Sequence, residues 1–127
     1  MPHRILYAED QDDTRTLVSM LLRTAGCEVV EAVTGAAFLK RLEGGEWFDL
    51  YLLDRALPDA TGVALCRAVR AADAETPFLF YSARALREER EEALRAGASD
   101  YLVKPDETLQ LPEHVARWIG PPGGRAN

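Results

Sequence analysis

The feature that most constrains the fold of this chain is the alternation of short apolar runs with longer helical patterns, repeated five times. The short runs cover residues 5–8, 28–32, 48–53, 78–81 and 101–103. The third and fourth runs are apolar at nearly every position, which is typical of strands covered on both faces at the centre of a parallel sheet. Strand–helix alternation at this spacing predicts right-handed crossovers, with helices on both faces of the sheet.

Capping residues and glycines indicate where the helices begin and end. Asp13 is expected to cap the first helix, and Gly26 to end it. The apolar stripe of this helix is expected to comprise Leu17, Met20, Leu21 and Leu22. Thr34 is expected to cap the second helix, and the remaining helices are expected over residues 63–72, 84–96 and 108–119, the last interrupted by Pro112. The tail, residues 120–127, has the Pro/Gly composition of a linker, so we expect one domain over residues 1–119.

Composition narrows the classes of function. The 127 residues carry a net charge of −6, which disfavours direct binding to nucleic acid. No apolar run is long enough to cross a membrane, and the N-terminus lacks a signal-peptide pattern, so we expect a cytoplasmic protein. Cys27 and Cys66 are expected to be small buried hydrophobes, because they show no metal-ligand spacing. His3 and His114 show none either, and both are expected at the surface.

The polar residues that attract attention follow the predicted strands directly. Glu9 and Asp10 follow strand 1, Asp54 follows strand 3, Ser82 follows strand 4 and Lys104 follows strand 5. In a flavodoxin-like doubly wound (βα)5 fold, with a five-stranded parallel sheet of order 2-1-3-4-5, strands 1 and 3 are neighbours and ligands bind beyond their carboxyl ends. We therefore expect the three carboxylates to converge.

Converging carboxylates repel one another unless a cation neutralises them. Hard oxygen ligands suit Mg²⁺, which usually takes one or two protein carboxylates and keeps several waters. Lys104 adds a compact positive charge suited to a phosphoryl oxygen, and the Ser82 hydroxyl can donate to another. Together these groups favour phosphoryl transfer to Asp54, a reaction that needs mainly positioning and charge neutralisation.

Four segments carry a family resemblance, and they run from one end of the chain to the other: Leu6–Asp10, Leu53–Gly62, Tyr81–Ala83 and Ala96–Pro105. Each short motif alone is weak, but their order and their positions at strand ends make the set specific. The chain resembles the receiver domain of two-component response regulators, a CheY-like family, without an apparent output domain.

The resemblance implies a role for each site residue. Asp54 would accept the phosphoryl group, with Asp10 and Asp54 as direct Mg²⁺ ligands and Glu9 acting through a coordinated water. The backbone carbonyl of Ala56 would supply another ligand. Lys104 would pair with the phosphoryl group, and its peptide bond to Pro105 would be cis.

The resemblance further implies a switch and its partners. Ser82 would move toward the phosphoryl group and Tyr101 would turn inward, changing the face formed by helix 4, strand 5 and helix 5. Ala56 and Arg84 occupy positions that tune phosphoryl lifetime, in a direction that the sequence leaves open. The expected partners are a histidine kinase or phosphotransfer protein, and a downstream protein or fused output domain; a homodimer is a further option. Asp106, where an aromatic residue is usual, and Pro112 leave the usual dimer or partner face in doubt.

Two other classes of function fit parts of the pattern. A receiver-like interaction module that is never phosphorylated would be indifferent to Mg²⁺ and to phosphodonors. A phosphatase is disfavoured because Ala56 stands where aspartate-based phosphatases carry a second acid, and a flavodoxin because the acidic run Glu9–Asp13 would repel a flavin phosphate. We therefore expect that the protein is not an enzyme and that it catalyses only its own aspartyl phosphorylation and dephosphorylation.

Overall fold

The computed structural model describes residues 2–54, 57–83, 86–104 and 108–120. Within these ranges, strands and helices alternate in the order β1 (Arg4–Ala8), α1 (Asp12–Thr24), β2 (Glu28–Ala32), α2 (Gly35–Glu43), β3 (Leu50–Leu53), α3 (Gly62–Arg70), β4 (Phe78–Ser82), α4 (Arg87–Arg95), β5 (Asp100–Val103) and α5 (Leu111–Ile119). None of the helices in this part of the chain combines the length and the apolar character needed to cross a membrane.

The five strands form one parallel sheet in the order β2-β1-β3-β4-β5, which confirms the predicted flavodoxin-like topology. In register, Ala8 of β1 lies beside Leu53 of β3, so both strands end at the same level. Ser82 of β4 lies beside Val103 of β5 in the same way. The residues that follow β1, β3 and β5 are therefore delivered to one edge of the sheet.

Two apolar clusters lie on opposite faces of the sheet. One includes Val18 and Leu22 of α1 with Leu111 and Val115 of α5. The other is covered by α2, α3 and α4 and contains a run of contacting aromatic rings, which comprises Phe38, Tyr51, Phe78, Phe80 and Tyr101. Because both faces are covered, every residue of β3 and β4 is buried, as their continuous apolar sequences predicted.

The details of α1 differ from the prediction. The helix begins at Asp12, so Asp13 lies in its first turn, and Gln11 precedes the helix without a side-chain capping bond. The buried face consists of Val18, Ser19 and Leu22, whereas Leu17 and Met20 are 40% and 55% exposed. The face of α1 that contacts the sheet is therefore centred on Val18 and Leu22 rather than on the whole predicted stripe. At α2 the prediction is confirmed, since the Thr34 hydroxyl accepts a hydrogen bond from the Ala37 N–H.

The later helices are shorter than predicted. α4 begins at Arg87 and α5 begins at Leu111, with Pro112 in its first turn, where a missing N–H costs nothing. Cys27 and Cys66 are buried free thiols, as expected.

His3 is buried rather than at the surface, with 2% of its area exposed. Its Nδ1 lies 3.6 Å from Asp49 Oδ2, and its Nε2 finds no hydrogen-bond partner among the residues that the structure describes. The reason is that the sheet pairing already begins at His3, whose carbonyl accepts a hydrogen bond from Glu28 N–H. The expectation of a surface histidine was therefore wrong for His3.

Two tryptophans lie at the edge of the sheet where the strands begin. Trp47 precedes β3 and is 65% exposed, and Trp118 in the last turn of α5 is 41% exposed. Both line one shallow depression, together with Pro77, which precedes β4. This edge is opposite the one where β1, β3 and β5 end.

Arg70 of α3 forms hydrogen bonds with the segments before β4 and after α4. Its guanidinium donates hydrogen bonds to the carbonyls of Gly97, Asp73 and Thr76 at 2.9, 3.0 and 2.7 Å. Gly97 has a φ of 114°, and a Cβ there would lie 2.7 Å from Arg70 Cγ. Gly97 thus serves both a left-handed turn and a close approach.

Gly97→Ala is expected to lower the free energy of unfolding by about 3 kcal/mol, since the methyl group adds a steric conflict with the anchored Arg70 to the cost of the left-handed backbone. The control is Gly45→Ala, where φ is 82° and nothing lies within 4 Å of the added Cβ. That variant should lose about 1 kcal/mol, from backbone strain alone. Urea unfolding measures both, and equal losses would contradict a role for the Arg70 contact.

Candidate functional site

The ends of β1 and β3 set the floor of the site. Glu9 N–H donates to the Ala32 carbonyl, and Asp54 N–H donates to the Ala8 carbonyl, each at 3.0 Å. These bonds continue the sheet pairing one residue beyond the strands. The backbone therefore fixes Glu9 and Asp54 side by side before their side chains make any contact.

The structure brings together the three acids that the sequence predicted. Glu9, Asp10 and Asp54 each offer a carboxylate oxygen, and these oxygens lie within 4.8 Å of one another. Glu9 is fully buried, Asp54 is 8% exposed, and Asp10 is half-buried. Such a set of hard oxygen donors suits a divalent cation that prefers oxygen ligands, such as Mg²⁺.

Lys104 closes the site from the end of β5. Its ammonium lies 2.8 Å from Glu9 Oε1 and 3.5 Å from Asp54 Oδ2. Its backbone N–H donates to the Ser82 carbonyl at 2.7 Å, which fixes the start of the side chain. The ion pair with Glu9 was not predicted from the sequence, where Lys104 was assigned only to the phosphoryl group.

Burial and crowding shift the protonation equilibria of this cluster. Burial raises the pKa of Glu9 to about 7; the hydrogen bond from Lys104 limits the increase, and the charge of Asp54 adds to it. Burial acts to lower the pKa of Lys104, but the hydrogen bond to Glu9 and the charge of Asp54 outweigh it, so that this pKa is raised. The ionised form of Glu9 is therefore stabilised largely by the ammonium of Lys104.

Ser82 and Tyr101 occupy buried positions next to the site. Ser82 is the last residue of β4 and is 3% exposed. Tyr101 is 2% exposed, and its ring stacks on Phe80 with a centroid separation of 5.9 Å. The guanidinium of Arg90 in α4 lies over the Tyr101 ring, 5.7 Å from its centroid, and donates to the Tyr101 carbonyl at 2.9 Å. Tyr101 thus lies inside the cluster beneath α4.

Several predicted site positions lie outside the described residues. These are Ala56, Arg84, the Lys104–Pro105 peptide bond and Asp106. The roles assigned to them remain predictions.

Two tyrosines at the site were not recognised in the sequence. The Tyr7 hydroxyl donates to Glu9 Oε1 at 3.4 Å, and the Tyr81 ring faces the Lys104 ammonium, 5.1 Å from the ring centroid. Burial and the charge of Glu9 raise the pKa of Tyr7, which keeps its proton available for that hydrogen bond. A phenol in an otherwise apolar buried strand needs a polar partner, and this requirement was the available signal.

Comparison with known proteins identifies the family. The response regulator receiver domain family matches residues 5–116, which is most of the chain. The chain belongs to this family. Receiver domains are signalling switches of two-component systems and bind Mg²⁺ at an acidic pocket, and this chain carries an acidic group of Glu9, Asp10 and Asp54. The predicted family is thereby confirmed.

Similar receivers occur within longer proteins. The sensor protein GacS of Pseudomonas syringae is 34% identical over 122 residues, which are 92% of this chain and 13% of GacS. The transcriptional regulatory protein PrrA of Mycobacterium tuberculosis is 39% identical over 114 residues, which are 90% of this chain and 47% of PrrA. The chain therefore spans less than half the length of these two relatives.

Solved structures share the fold of this receiver. The BeF3-activated receiver domain of DrrB, a response regulator of Thermotoga maritima, superposes with a TM-score of 0.84 at 28% identity. The match covers 94% of this chain and 98% of that receiver domain.

Lys104→Met is expected to lower the free energy of unfolding by about 2–3 kcal/mol, because it leaves a buried carboxylate without its cation. Glu9→Gln in the same chain should recover much of this loss, since the amide carries no charge to neutralise. Urea unfolding of the wild type, both single variants and the double variant measures the coupling between the two side chains. Additive losses would show that the 2.8 Å contact contributes nothing to stability.

Proposed function

We propose that this receiver is a phospho-acceptor switch that takes up a phosphoryl group on Asp54 in a Mg²⁺-dependent reaction. The observation that carries the proposal is the position of Asp54, which ends a central strand beside two further acids and 3.5 Å from the Lys104 ammonium. A capping aspartate would need none of these neighbours. The BeF3-activated form of the similar DrrB receiver supports the same reading.

In the proposed reaction, a carboxylate oxygen of Asp54 attacks the phosphorus of a phosphohistidine or of a small acyl phosphate. The new bond joins Asp54 to phosphorus as the bond from phosphorus to the imidazole nitrogen, or to the acyl oxygen, breaks. The leaving group keeps the electron pair of the broken bond, and the imidazole takes up a proton. Lys104 binds a phosphoryl oxygen through its ammonium, and the Ser82 hydroxyl donates to another, so that the charge of the transferring group is balanced locally.

The chemistry of the donor set fits Mg²⁺. Asp10 and Asp54 would hold the ion directly, Glu9 would act through a coordinated water, and the carbonyl of Ala56 would complete the protein ligands. When bound, the ion neutralises charge on the carboxylates and on the phosphoryl oxygens. Glu9 is the acid least able to reach solvent and is already paired with Lys104, which supports an indirect role.

The proposed output is a change in the face formed by α4, β5 and α5. Ser82 would shift toward the phosphoryl group, and the position of the Tyr101 ring would follow it. Arg90 contacts both the ring and the carbonyl of Tyr101, so a movement of this residue would be felt directly by α4. The switch is a population shift driven by a local change of charge.

The proposed partners are a histidine kinase or phosphotransfer protein as donor, and a downstream protein or a fused output domain as reader; dimerisation through the α4–β5–α5 face is an additional option. We assign the receiver to residues 1–119 and a tail to residues 120–127, in a cytoplasmic protein. Ala56 and Arg84 are proposed to tune how long the phosphoryl group persists. GacS and PrrA, in which similar receivers occur, support a place in two-component signalling.

Incubation of the protein with acetyl phosphate and Mg²⁺ is expected to add one phosphoryl group, measured by intact-protein mass spectrometry. Asp54→Asn should abolish the addition, because an amide cannot attack phosphorus. Asp13→Asn is the matched control, since Asp13 is an exposed acid in the first turn of α1, close to the site in sequence. It should be phosphorylated as the wild type is.

An unmodified wild type would contradict the proposal and favour a receiver-like interaction module that works without phosphorylation. Hydrolysis of a phosphate monoester such as p-nitrophenyl phosphate over many turnovers would instead favour a phosphatase, because self-phosphorylation needs a high-energy donor.

Mg²⁺ is expected to raise the thermal unfolding midpoint of the wild type, because it binds the folded acidic cluster and not the unfolded chain. Asp10→Asn should lose this response and should be as stable as the wild type, or more so, without the ion, since one repelling charge has been removed. Asp13→Asn should keep the response. Equal responses in the two variants would place the ion elsewhere.

A further inference from the structure

The buried phenol of Tyr81 contacts the chain on both sides of the β5–α5 connection. Tyr81 is the fourth residue of β4 and is 2% exposed. Its ring faces the Lys104 ammonium, with 5.1 Å from Nζ to the ring centroid. Its hydroxyl is hydrogen-bonded to the hydroxyl of Thr108, which is itself 5% exposed. One side chain therefore touches the residue that ends β5 and a residue that precedes α5.

The ring of Tyr81 gives the Lys104 ammonium a further contact, in addition to the two carboxylates. A lysine ammonium sits on a flexible four-carbon stem, so its position depends on what surrounds it. Here the carboxylates of Glu9 and Asp54 attract the ammonium, and the electron-rich face of Tyr81 attracts it as well. The backbone of Lys104 is bonded to Ser82, the residue after Tyr81. Residues at the end of β4 thus contact both the backbone of Lys104 and its ammonium group.

The hydroxyl pair fixes the other side of the connection. The Thr108 carbonyl accepts a hydrogen bond from Leu111 N–H at 3.2 Å, so Thr108 belongs to the turn that leads into α5. Both hydroxyls are buried, so removing one takes away the hydrogen bond that the other makes to it in the described part of the chain. A displacement of Tyr81 would therefore move Lys104 and the start of α5 together.

We propose that Tyr81 is a positioning residue that holds Lys104 against the phosphoryl site and the start of α5 against the sheet. Through Lys104 it sets the rate at which Asp54 is phosphorylated. This inference rests on the proposed phosphorylation of Asp54 and adds to it a residue that touches neither the carboxylates nor the phosphodonor. It is distinct from Ser82 and Tyr101, because Tyr81 lies in the cluster beneath α1 and α5.

NMR of the lysine side chains can test this contact, because the chain contains only two lysines, Lys40 and Lys104. In protein labelled with ¹³C-lysine, the ε-methylene region of the NMR spectrum should show two signals. Lys40 is exposed on α2 and supplies an internal reference. The signal of Lys104 should be displaced upfield by the ring current of Tyr81.

Three variants separate the ring, the hydroxyl and general stability. Tyr81→Phe keeps the ring and removes the hydroxyl, whereas Tyr81→Leu removes both. Val115→Ala removes buried methyl groups from the same apolar cluster and serves as the control for stability, since Val115 lies in α5, outside the phosphoryl site. Each variant is examined by lysine NMR and by its rate of phosphorylation with acetyl phosphate and Mg²⁺.

Tyr81→Leu is expected to lose the upfield displacement of Lys104 and to be phosphorylated about threefold to tenfold more slowly, the range that corresponds to a cation–π contact. Tyr81→Phe should keep the displacement and stay within about twofold of the wild-type rate, since its ring still faces the ammonium. Val115→Ala should leave both the displacement and the rate unchanged.

Four results would contradict the proposal. A wild-type spectrum without the displacement would show that the ring does not face Lys104, and this arm needs no phosphorylation. An unchanged rate in Tyr81→Leu would show that the contact has no effect on the reaction. An equal slowing in Val115→Ala would assign the effect to stability. A wild type that shows the displacement but takes up no phosphoryl group would contradict the proposed function, and with it the role of Tyr81 in phosphorylation. In that case the contact between Tyr81 and Lys104 would still be established.

Discussion

The contact between the Lys104 ammonium and the buried Glu9 carboxylate, 2.8 Å apart, is the interaction on which the rest of the site depends. Three acids held within 4.8 Å of one another would otherwise drive the ends of β1 and β3 apart or take up protons. Because Lys104 comes from β5, two strands away from β3, its charge also ties the far edge of the sheet to the centre. The site therefore contributes to the arrangement of the fold that presents it.

The sheet order and the placement of the acids were predictable from the sequence, because they depend only on which segments are strands and which residues follow them. β3 and β4 are apolar at consecutive positions, which demands cover on both faces, and parallel order then brings all carboxyl ends to one edge. Asp54 and Lys104 needed only to follow their strands directly to arrive at this edge. Thr34 was predictable as a cap because that interaction is local.

Other features depend on tertiary geometry that no local pattern encodes. The rotation of α1 against the sheet decides that Val18 is buried while Leu17 is 40% exposed, although both are apolar. His3 is buried where its carbonyl bonds to the start of β2 and its ring lies 3.6 Å from Asp49. The contacts of Tyr7 and Tyr81 with Glu9, Lys104 and Thr108 are known only once the strands are assembled.

The exposed positions of Trp47 and Trp118 bear on how this receiver can be observed in solution. Both indoles lie at the edge where the strands begin, at the opposite end of the sheet from the carboxylates. Their fluorescence therefore reports on the loosening of β3 and α5 when the chain denatures, and is remote from events at Asp54. By contrast, the Tyr7 phenol contacts Glu9 and the Tyr81 ring faces Lys104, so the near-ultraviolet absorption of these tyrosines is an intrinsic optical signal close to the chemistry.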